Sequence, residues 1–287
     1  QAEDGIRDVE RSRGLGDVYK RQNLDDENVE HFLKHKADTK FGYNIKSKIK
    51  NKRLKTQIKD LKTVKAEDIN MGINYSEFRV RDIGFRIWLL GEFNVYNSLA
   101  AICVGLSQDV SLETASNALG KVENLPGRLE SINLGQPFKI IVDYAHTPES
   151  LKGVYQTLKP LVKNKMIAVL GAAGGGRDKA KRPKLGKLAA QFADMVIITN
   201  EDPYDEDPRE IINQVASGAE GLGKVVEKIL DRKKAIKRAI GLAEPGDIVV
   251  ITGKGCEQWI MGPKSTRISW DDRKVVKETL KKTSFNK

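Results

Sequence analysis

KIIVDYAHTPESL, residues 139–151, decides the fold. Lys139 to Val142 form the β-branched run that a strand covered on both faces carries. Asp143, Tyr144 and His146 then crowd the point where that strand ends. Thr147 suits the N-cap of a following helix, and Pro148 suits its first position, where a missing N–H costs nothing. Proline also disfavours the α region for Thr147, so the turn is sharp. In open α/β sheets, ligands sit beyond the carboxyl ends of the strands, and convergent polar groups there point to one. The plainer alternative is that Asp143 caps and His146 packs. His146 is the only histidine beyond the amino-terminal segment, so no histidine-based metal site can be built around it.

The same pattern repeats downstream. Strands are expected at 139–143, 166–170, 195–199 and 247–252, with a shorter apolar run from Val225 to Leu230. Helices are expected near 148–159, 183–193, 208–219, 231–243 and 271–281, with Pro208 and Asp231 as start signals. Strands alternating with helices imply βαβ units and a Rossmann-like, mostly parallel α/β sheet. Each main strand runs into unusual residues: first Asp143, Tyr144 and His146, then GAAGGGRDKAKRP, TNEDPYDEDP and TGKGCE. A parallel sheet brings these four ends to one edge, around one crevice.

The glycine-rich loop does not match G-x-G-x-x-G, and no G-x-x-x-x-G-K-[ST] occurs in the chain, so a phosphate-cradling P-loop is absent from it. Its glycines equally suit the close approach of two backbones. Arg177 and Asp178 raise the functional reading. Glu257 is a carboxylate suited to hold an amine. The acidic EDPYDEDP stretch also enters a helix through Asp207-Pro208. Cys256 has no adjoining histidine and reads as a packed thiol.

Upstream, ENLPGRLE marks a domain boundary through Pro126 and Gly127, with Arg128 directly after it. GEFNVYNSLAAICVGLSQ, residues 91–108, carries Val95, Leu99, Ile102 and Leu106 at helical spacing. Asn94 suits its N-cap, and Asn97 lies in its first turn. A second helix is expected from Ser111 to Leu119. Before it, Phe41–Ile45, Thr63–Ile69, Phe78–Ile83 and Phe85–Leu90 read as short strands, the tail of a mixed sheet. Residues 1–22 show no periodicity and resemble translated adaptor sequence, so they are set aside from the fold. On that reading the chain is a fragment, with residues 23–124 ending one domain and residues 125–287 forming another.

Composition sets the class. A chain of 287 residues exceeds one compact core. Apolar content of 39% and charged content of 31% suit a globular protein, and no apolar run is long enough to span a membrane. No signal peptide opens the sequence, which gives a cytoplasmic expectation. Two cysteines, Cys103 and Cys256, exclude a disulfide framework. Much of the net charge of +11 lies between Lys46 and Lys65. That run lacks interleaved aromatic residues and any nucleic-acid motif, so it reads as a solvated face.

Five motifs in order resemble the Mur ligase family, closest to its MurE type: GEFNVYNSLAA, LPGRLE, DYAHTP, GGGRDKAKRP and GKGCE. The resemblance is good from Gly91 to about Arg273 and weak from Asn23 to Leu90. It implies the tail of a mixed α/β central ATPase domain followed by a complete carboxyl-terminal domain. It implies ATP-driven addition of the third amino acid to UDP-N-acetylmuramoyl-L-alanyl-D-glutamate, in cytoplasmic peptidoglycan synthesis, by a monomer. By the same resemblance Asn97 contacts adenine, Arg128 the phosphates and Asp143 the ribose. Tyr144 and His146 sit against that nucleotide, and Arg128 and His146 are the catalytic candidates. Arg177, Asp202, Pro203, Tyr204, Asp205, Gly253 and Glu257 surround the incoming amino acid.

The family's P-loop, magnesium carboxylates and modified lysine have no counterpart here. The chain alone is therefore expected not to turn over, and the Mg2+ ligands are expected elsewhere. Two further departures are Gly176, where aspartate is usual, and Cys256, where histidine is usual. Members that use meso-diaminopimelate carry Asp-Asn-Pro-Arg where this chain has Glu201, Asp202, Pro203 and Tyr204. Tyrosine carries no positive charge, and Glu201, Asp202 and Asp205 make the loop acidic. L-lysine or another dibasic amino acid is therefore expected over meso-diaminopimelate. The alternatives are a cyanophycin- or folylpolyglutamate-type ligase, or a nucleotide- or amino-acid-binding module without catalysis.

Overall fold

The structure is a computed structural model and describes residues 19–45, 61–72 and 75–283. Residues 46–60 of the lysine-rich run lie outside the described residues, as do residues 1–18. The chain forms two compact units, Gln1–Glu123 and Asn124–Lys287. Among the described residues no helix is long and apolar enough to cross a membrane.

The first unit holds two small sheets. Strands β1 (Tyr19–Asn23), β2 (Thr39–Asn44) and β3 (Leu61–Lys65) pair in parallel, with a short helix α1 (Val29–Leu33) between the first two. Strands β4 (Glu67–Met71), β5 (Ser76–Val80) and β6 (Ile83–Ile87) pair antiparallel. Helices α2 (Glu92–Leu106) and α3 (Leu112–Leu119) follow. Phe41, Val64, Phe78, Phe85, Val95, Leu99 and Ile102 share one core.

Four expectations are corrected here. Residues 19–22, set aside as extension, belong to β1. The run Thr63–Ile69 is divided between β3 and β4, which lie in different sheets. The strand expected to continue through Ile83 stops at Val80, because Arg81 turns the chain with a φ of +53°. Asn94 is not the N-cap of α2; Gly91 holds that place, and Asn94 lies inside the first turn. There the Asn94 amide donates to the Leu90 carbonyl at 2.8 Å and accepts from Asn97 at 3.1 Å.

The second unit is a six-stranded sheet wrapped by helices. Its elements run β7 (Glu130–Ser131), β8 (Lys139–Val142), α4 (Pro148–Leu158), β9 (Met166–Leu170), α5 (Lys181–Phe192), β10 (Met195–Thr199) and α6 (Pro208–Ala219). They continue with β11 (Val225–Ile229), α7 (Arg232–Leu242), β12 (Ile248–Ile251), the hairpin β13 (Trp259–Met261) and β14 (Arg267–Ser269), and α8 (Asp272–Lys282). The order across the sheet is β11-β10-β9-β12-β8-β7. Only β7 runs antiparallel, so the five long strands end on one edge. Strand β12 lies between β9 and β8, which places its terminal loop beside both of theirs.

Successive strand residues face opposite sides. Ile140, Val142, Ile167, Val169, Ile197, Val249 and Ile251 meet Ala235, Ile236, Val276 and Leu280 of α7 and α8. Helices α4, α5 and α6 pack side by side, and the alternate strand residues Ile141, Ala168, Val196, Ile198 and Val250 are buried as well. Thr147 caps α4 through a capping box with Ser150, ahead of Pro148 at its start.

Among the polar groups buried in this frame, Arg232 and Asp272 form an ion pair. The Arg232 guanidinium pairs with Asp272 at 2.8 and 2.7 Å, and donates to the Asn200 carbonyl at 3.2 Å and the Thr252 carbonyl at 2.9 Å. Those two carbonyls lie just past the ends of β10 and β12. We predict that residues 124–287 melt cooperatively on their own, and that Arg232→Met lowers their stability by about 3–5 kcal/mol, the cost of stranding one member of a buried pair. Denaturant titration of both proteins checks this; a molten product from the parent segment, or an unchanged midpoint in the variant, contradicts it.

Candidate functional site

The sharp turn after β8 meets the interdomain linker. Both oxygens of Asp143 accept backbone N–H groups at 2.7 Å, one from Leu129 and one from Ala145. Burial pushes its carboxyl above the ordinary range, against the pull of those two donors and of Arg128. Asp143 thus ties the linker to the strand end, and the helix cap falls to Thr147 instead. Gly127, at a φ of +64°, lies so close to Cys256 that a Cβ would strike the Cys256 backbone nitrogen. Cys256 is half-buried there. LPGRLE, DYAHTP and GKGCE therefore converge.

Arg128 lays its guanidinium over the Tyr144 ring, 4.8 Å from the centroid. Among the described residues no carboxylate pairs with it, so this cation is available to an anion. The Tyr144 ring also meets the His146 ring at 4.8 Å, edge on. His146 Nδ1 lies 3.2 Å from the Tyr144 carbonyl. A carbonyl only accepts, so Nδ1 carries the proton and Nε2 is an acceptor in the neutral ring. Burial lowers the pKa of His146, which favours that neutral form. Lys181, at the start of α5, donates to the His146 carbonyl at 3.1 Å.

On the other side of Tyr144, its hydroxyl donates to Glu257 at 3.2 Å. Burial, with Glu257 next in weight, pushes the Tyr144 pKa up to about 12, so it stays a donor. The second Glu257 oxygen pairs with Lys254 at 2.6 Å. Lys254 is 1% exposed and also grips both oxygens of Asp202, at 2.8 and 2.9 Å. Burial opposes its charge, but these partners outweigh burial and raise its pKa. The acidic loop is thus largely compensated, contrary to its appearance in sequence. Asp205 accepts the Lys264 N–H at 2.8 Å. Glu206 pairs with the buried Arg182, whose bonds, with Lys179 behind them, hold its carboxyl down at about 2. Arg182 also donates to the Ala173 carbonyl at 3.0 Å, joining the glycine-rich loop to the acidic one. Tyr204 packs on Gly175, and Pro203 lies against Gly174. Arg177 is exposed, and among the described residues its guanidinium has no partner.

Residues 127–255 match the Mur ligase glutamate ligase domain. A relative from Syntrophomonas wolfei, a UDP-N-acetylmuramoyl-L-alanyl-D-glutamate–2,6-diaminopimelate ligase, is 39% identical over 229 residues, which are 78% of this chain and 46% of that protein. A UDP-N-acetylmuramyl-tripeptide synthetase from Roseiflexus is 41% identical over 230 residues, 77% of this chain and 45% of its own. A solved structure of a diaminopimelate ligase of the same name superposes with a TM-score of 0.57 at 30% identity, covering 92% of this chain and 53% of the other. The chain belongs to the Mur ligase family. It spans about half the length of the curated relatives it matches.

Within this Mur ligase chain the structure brings Arg128, Tyr144, His146, Glu257 and, through Lys254, Asp202 into one connected cluster. Gly253, Pro203, Tyr204 and Asp205 lie on the adjoining loops. Asn97 belongs to the first unit. Among the described residues no three His, Cys, Asp or Glu side chains are grouped to hold a metal ion. Sequence reasoning missed Lys254, Arg232, Arg182 and Lys181 as parts of the site. It counted Glu201 only as one of the loop's acids, whereas the fold leaves it 5% exposed with an Oε2 that has no hydrogen-bond partner. The available signal was a charged residue within a few positions of a strand end, Glu201 two after β10 and Lys254 three after β12.

Burial pushes the Glu201 pKa from 4.5 up to about 7, against the pull of Arg232. A carboxyl raised in the folded state contributes stability that is complete below about 4.5 and lost as pH rises through about 7. We predict that Glu201→Gln, which cannot ionise, gains on the parent over that window by on the order of 3 kcal/mol. Melting curves across the range check the sign; a constant difference between the two proteins contradicts it.

Proposed function

We propose that this chain is part of an ATP-dependent ligase that adds the third amino acid to UDP-N-acetylmuramoyl-L-alanyl-D-glutamate in peptidoglycan synthesis. The observation that carries the reading is the juxtaposition, around Tyr144, of an unpaired cation and an amine-binding carboxylate: Arg128 on one side and Glu257 on the other. Amide formation through an acyl phosphate needs both. The D-glutamate carboxylate takes the γ-phosphoryl group of ATP, the incoming amine attacks the activated carbonyl, and phosphate leaves.

Arg128 offers fixed positive charge where negative charge gathers on the transferring phosphoryl group. Glu257, aimed by the Tyr144 hydroxyl and Lys254, orients the amine for attack. His146 presents Nε2 as a neutral acceptor beside the same ring. The groups that hold magnesium and cradle the phosphates belong to the rest of such an enzyme. We therefore expect residues 1–287 alone to release no phosphate when given ATP, the UDP-dipeptide and an amino acid; turnover by the chain itself would contradict this assignment of parts.

The acceptor favoured here is L-lysine or another dibasic amino acid over meso-diaminopimelate. Tyr204 stands where an arginine that pairs with a distal carboxylate is expected. Losing one charge-assisted bond costs about 1.5–3 kcal/mol, or roughly ten- to a hundredfold in affinity. The relatives named as diaminopimelate ligases weigh the other way. Amino-acid-dependent phosphate release by the complete enzyme, with the two acceptors compared at equal concentration, tests the choice. A preference for lysine that moves toward diaminopimelate in Tyr204→Arg is the expected result. A preference for diaminopimelate in the parent refutes it. Failure of every amino acid to stimulate phosphate release would leave a binding module.

A further inference from the structure

Arg128 is exposed, and an unusual backbone decides where its side chain starts. Gly127 before it and Leu129 after it both hold left-handed conformations, at φ of +64° and +44°. Glycine adopts that conformation freely, whereas leucine adopts it at a cost that its surroundings must offset. Three successive N–H groups are engaged here. Gly127 donates to Glu130 Oε2 at 2.7 Å, Arg128 to the Leu125 carbonyl at 3.0 Å, and Leu129 to Asp143 Oδ2 at 2.7 Å. The arginine thus sits between two residues whose N–H groups are each held by a carboxylate.

Those two carboxylates come from paired strands. Glu130 opens β7 opposite Val142, the last residue of β8, and Asp143 follows directly. Packing closes the turn from the other side, since a Cβ on Gly127 would lie 2.3 Å from the Cys256 backbone nitrogen. The Glu130 side chain is 12% exposed, and Arg273 of α8 stands 3.6 Å from its Oε2. Arg273 gives its close, two-pronged pair to Asp271 instead, at 2.9 and 2.7 Å. Glu130 therefore keeps its short bond for Gly127. By charge alone, a carboxylate two residues from an anion-binding arginine opposes the anion. Its place is explained by what it does to the backbone.

We propose that Glu130, braced by Arg273, is a positioning residue for Arg128: by holding the Gly127 N–H it fixes the turn that lays the guanidinium over the Tyr144 ring and aims it at the phosphates of a bound nucleotide. The inference rests on reading Arg128 as a phosphate-binding cation. Glu130 acts through the backbone and through Arg128. Asp143 performs the matching task at Leu129, but it also bonds the Ala145 N–H, so Glu130 is the half of the clamp that can be altered without disturbing the turn after β8.

The test measures ADP binding by the full 287-residue chain through backbone amide shifts, together with the ring-current shift that Tyr144 imposes on the Arg128 side-chain protons. Glu130→Ala should lose most of that ring-current shift and weaken ADP binding about fivefold or more. Removal of a negative charge would by itself tighten binding, so the sign separates positioning from field. Added to Arg128→Ala, the same change should cost nothing further, because the two residues act in series. Glu130→Gln keeps the length and an acceptor oxygen and should bind ADP nearly as the parent does. Glu130→Asp keeps the charge, falls short of Gly127 and should bind more weakly. Unchanged or tighter ADP binding by a cooperatively melting Glu130→Ala, or an unmoved ring-current shift, overturns the proposal while the phosphate reading stands on the loss caused by Arg128→Ala. If Glu130→Ala does not fold, the other two variants decide, and Glu130→Asp binding as well as Glu130→Gln or better overturns it. If Arg128→Ala binds ADP as the parent does, the phosphate reading falls and takes the proposal with it.

Discussion

The buried guanidinium of Arg232 is the interaction on which the crevice depends. Parallel strands leave their last carbonyls pointing out of the sheet, and those at Asn200 and Thr252 fall where water is excluded. Arg232 donates to both while Asp272 holds its remaining donors in a two-pronged pair. Trp270 adds a third bond to Asp272 at 2.8 Å, so the start of α8 is fixed by the same cluster. A lysine in that place would offer a point charge without the planar fork that reaches two carbonyls and a carboxylate at once. The residues immediately following those carbonyls are Glu201 and Gly253. Their mutual approach is set by the guanidinium between their roots.

Charge compensation is the second constraint. Read along the chain, the loop after β10 is a block of acid. Folded, it is threaded with cations that arrive from elsewhere: Lys254 from fifty-two positions away, Arg182 from α5 and Lys179 from the glycine-rich loop. Buried carboxylates survive only when paired or protonated. Asp202 and Glu206 follow the first course, and for Glu201, without a donor on Oε2, burial pushes the pKa up to about 7. The net acidity of the loop is therefore largely cancelled, and Glu201 is the one of its carboxylates with a buried oxygen that has no hydrogen-bond partner.

Much of this was legible in sequence, and the omissions have physical causes. The five parallel strands announce themselves as β-branched runs, and Thr147-Pro148, Asp207-Pro208 and Asp231 mark helix starts by local chemistry alone. Strand β7 is two residues long, and the β13–β14 hairpin exposes Trp259 and Ile268, so neither carries an alternating pattern. The run Thr63–Ile69 looked continuous because alternation does not reveal which sheet a strand joins. Asn94 satisfied every local rule for an N-cap, but Gly91 begins the helix three residues earlier. For the site, the named motifs drew attention to Arg128, Tyr144, His146 and Glu257, which do assemble. Lys254 and Arg232 went unread because their roles are defined by burial and by distant partners. Glu201 was read only as one of the loop's acids, because a missing donor is a property of the fold.

The acidic loop is also held on both sides, and that fixes where its side chains lie. Tyr204 holds a φ of +52°, a conformation a bulky side chain adopts at some cost. Such a backbone persists only where its surroundings over-determine it. Here the Gly174 N–H donates to the Asp202 carbonyl at 2.7 Å, and the Tyr204 N–H donates to the Met261 carbonyl at 3.2 Å. The Asp202 side chain in turn accepts from the Met261 N–H at 2.8 Å, so β13 grips the loop from both directions. A loop held this way keeps Glu201 buried and the ring of Tyr204 against Gly175, so the places of those two side chains follow from a backbone that β13 and the glycine-rich loop hold from both sides.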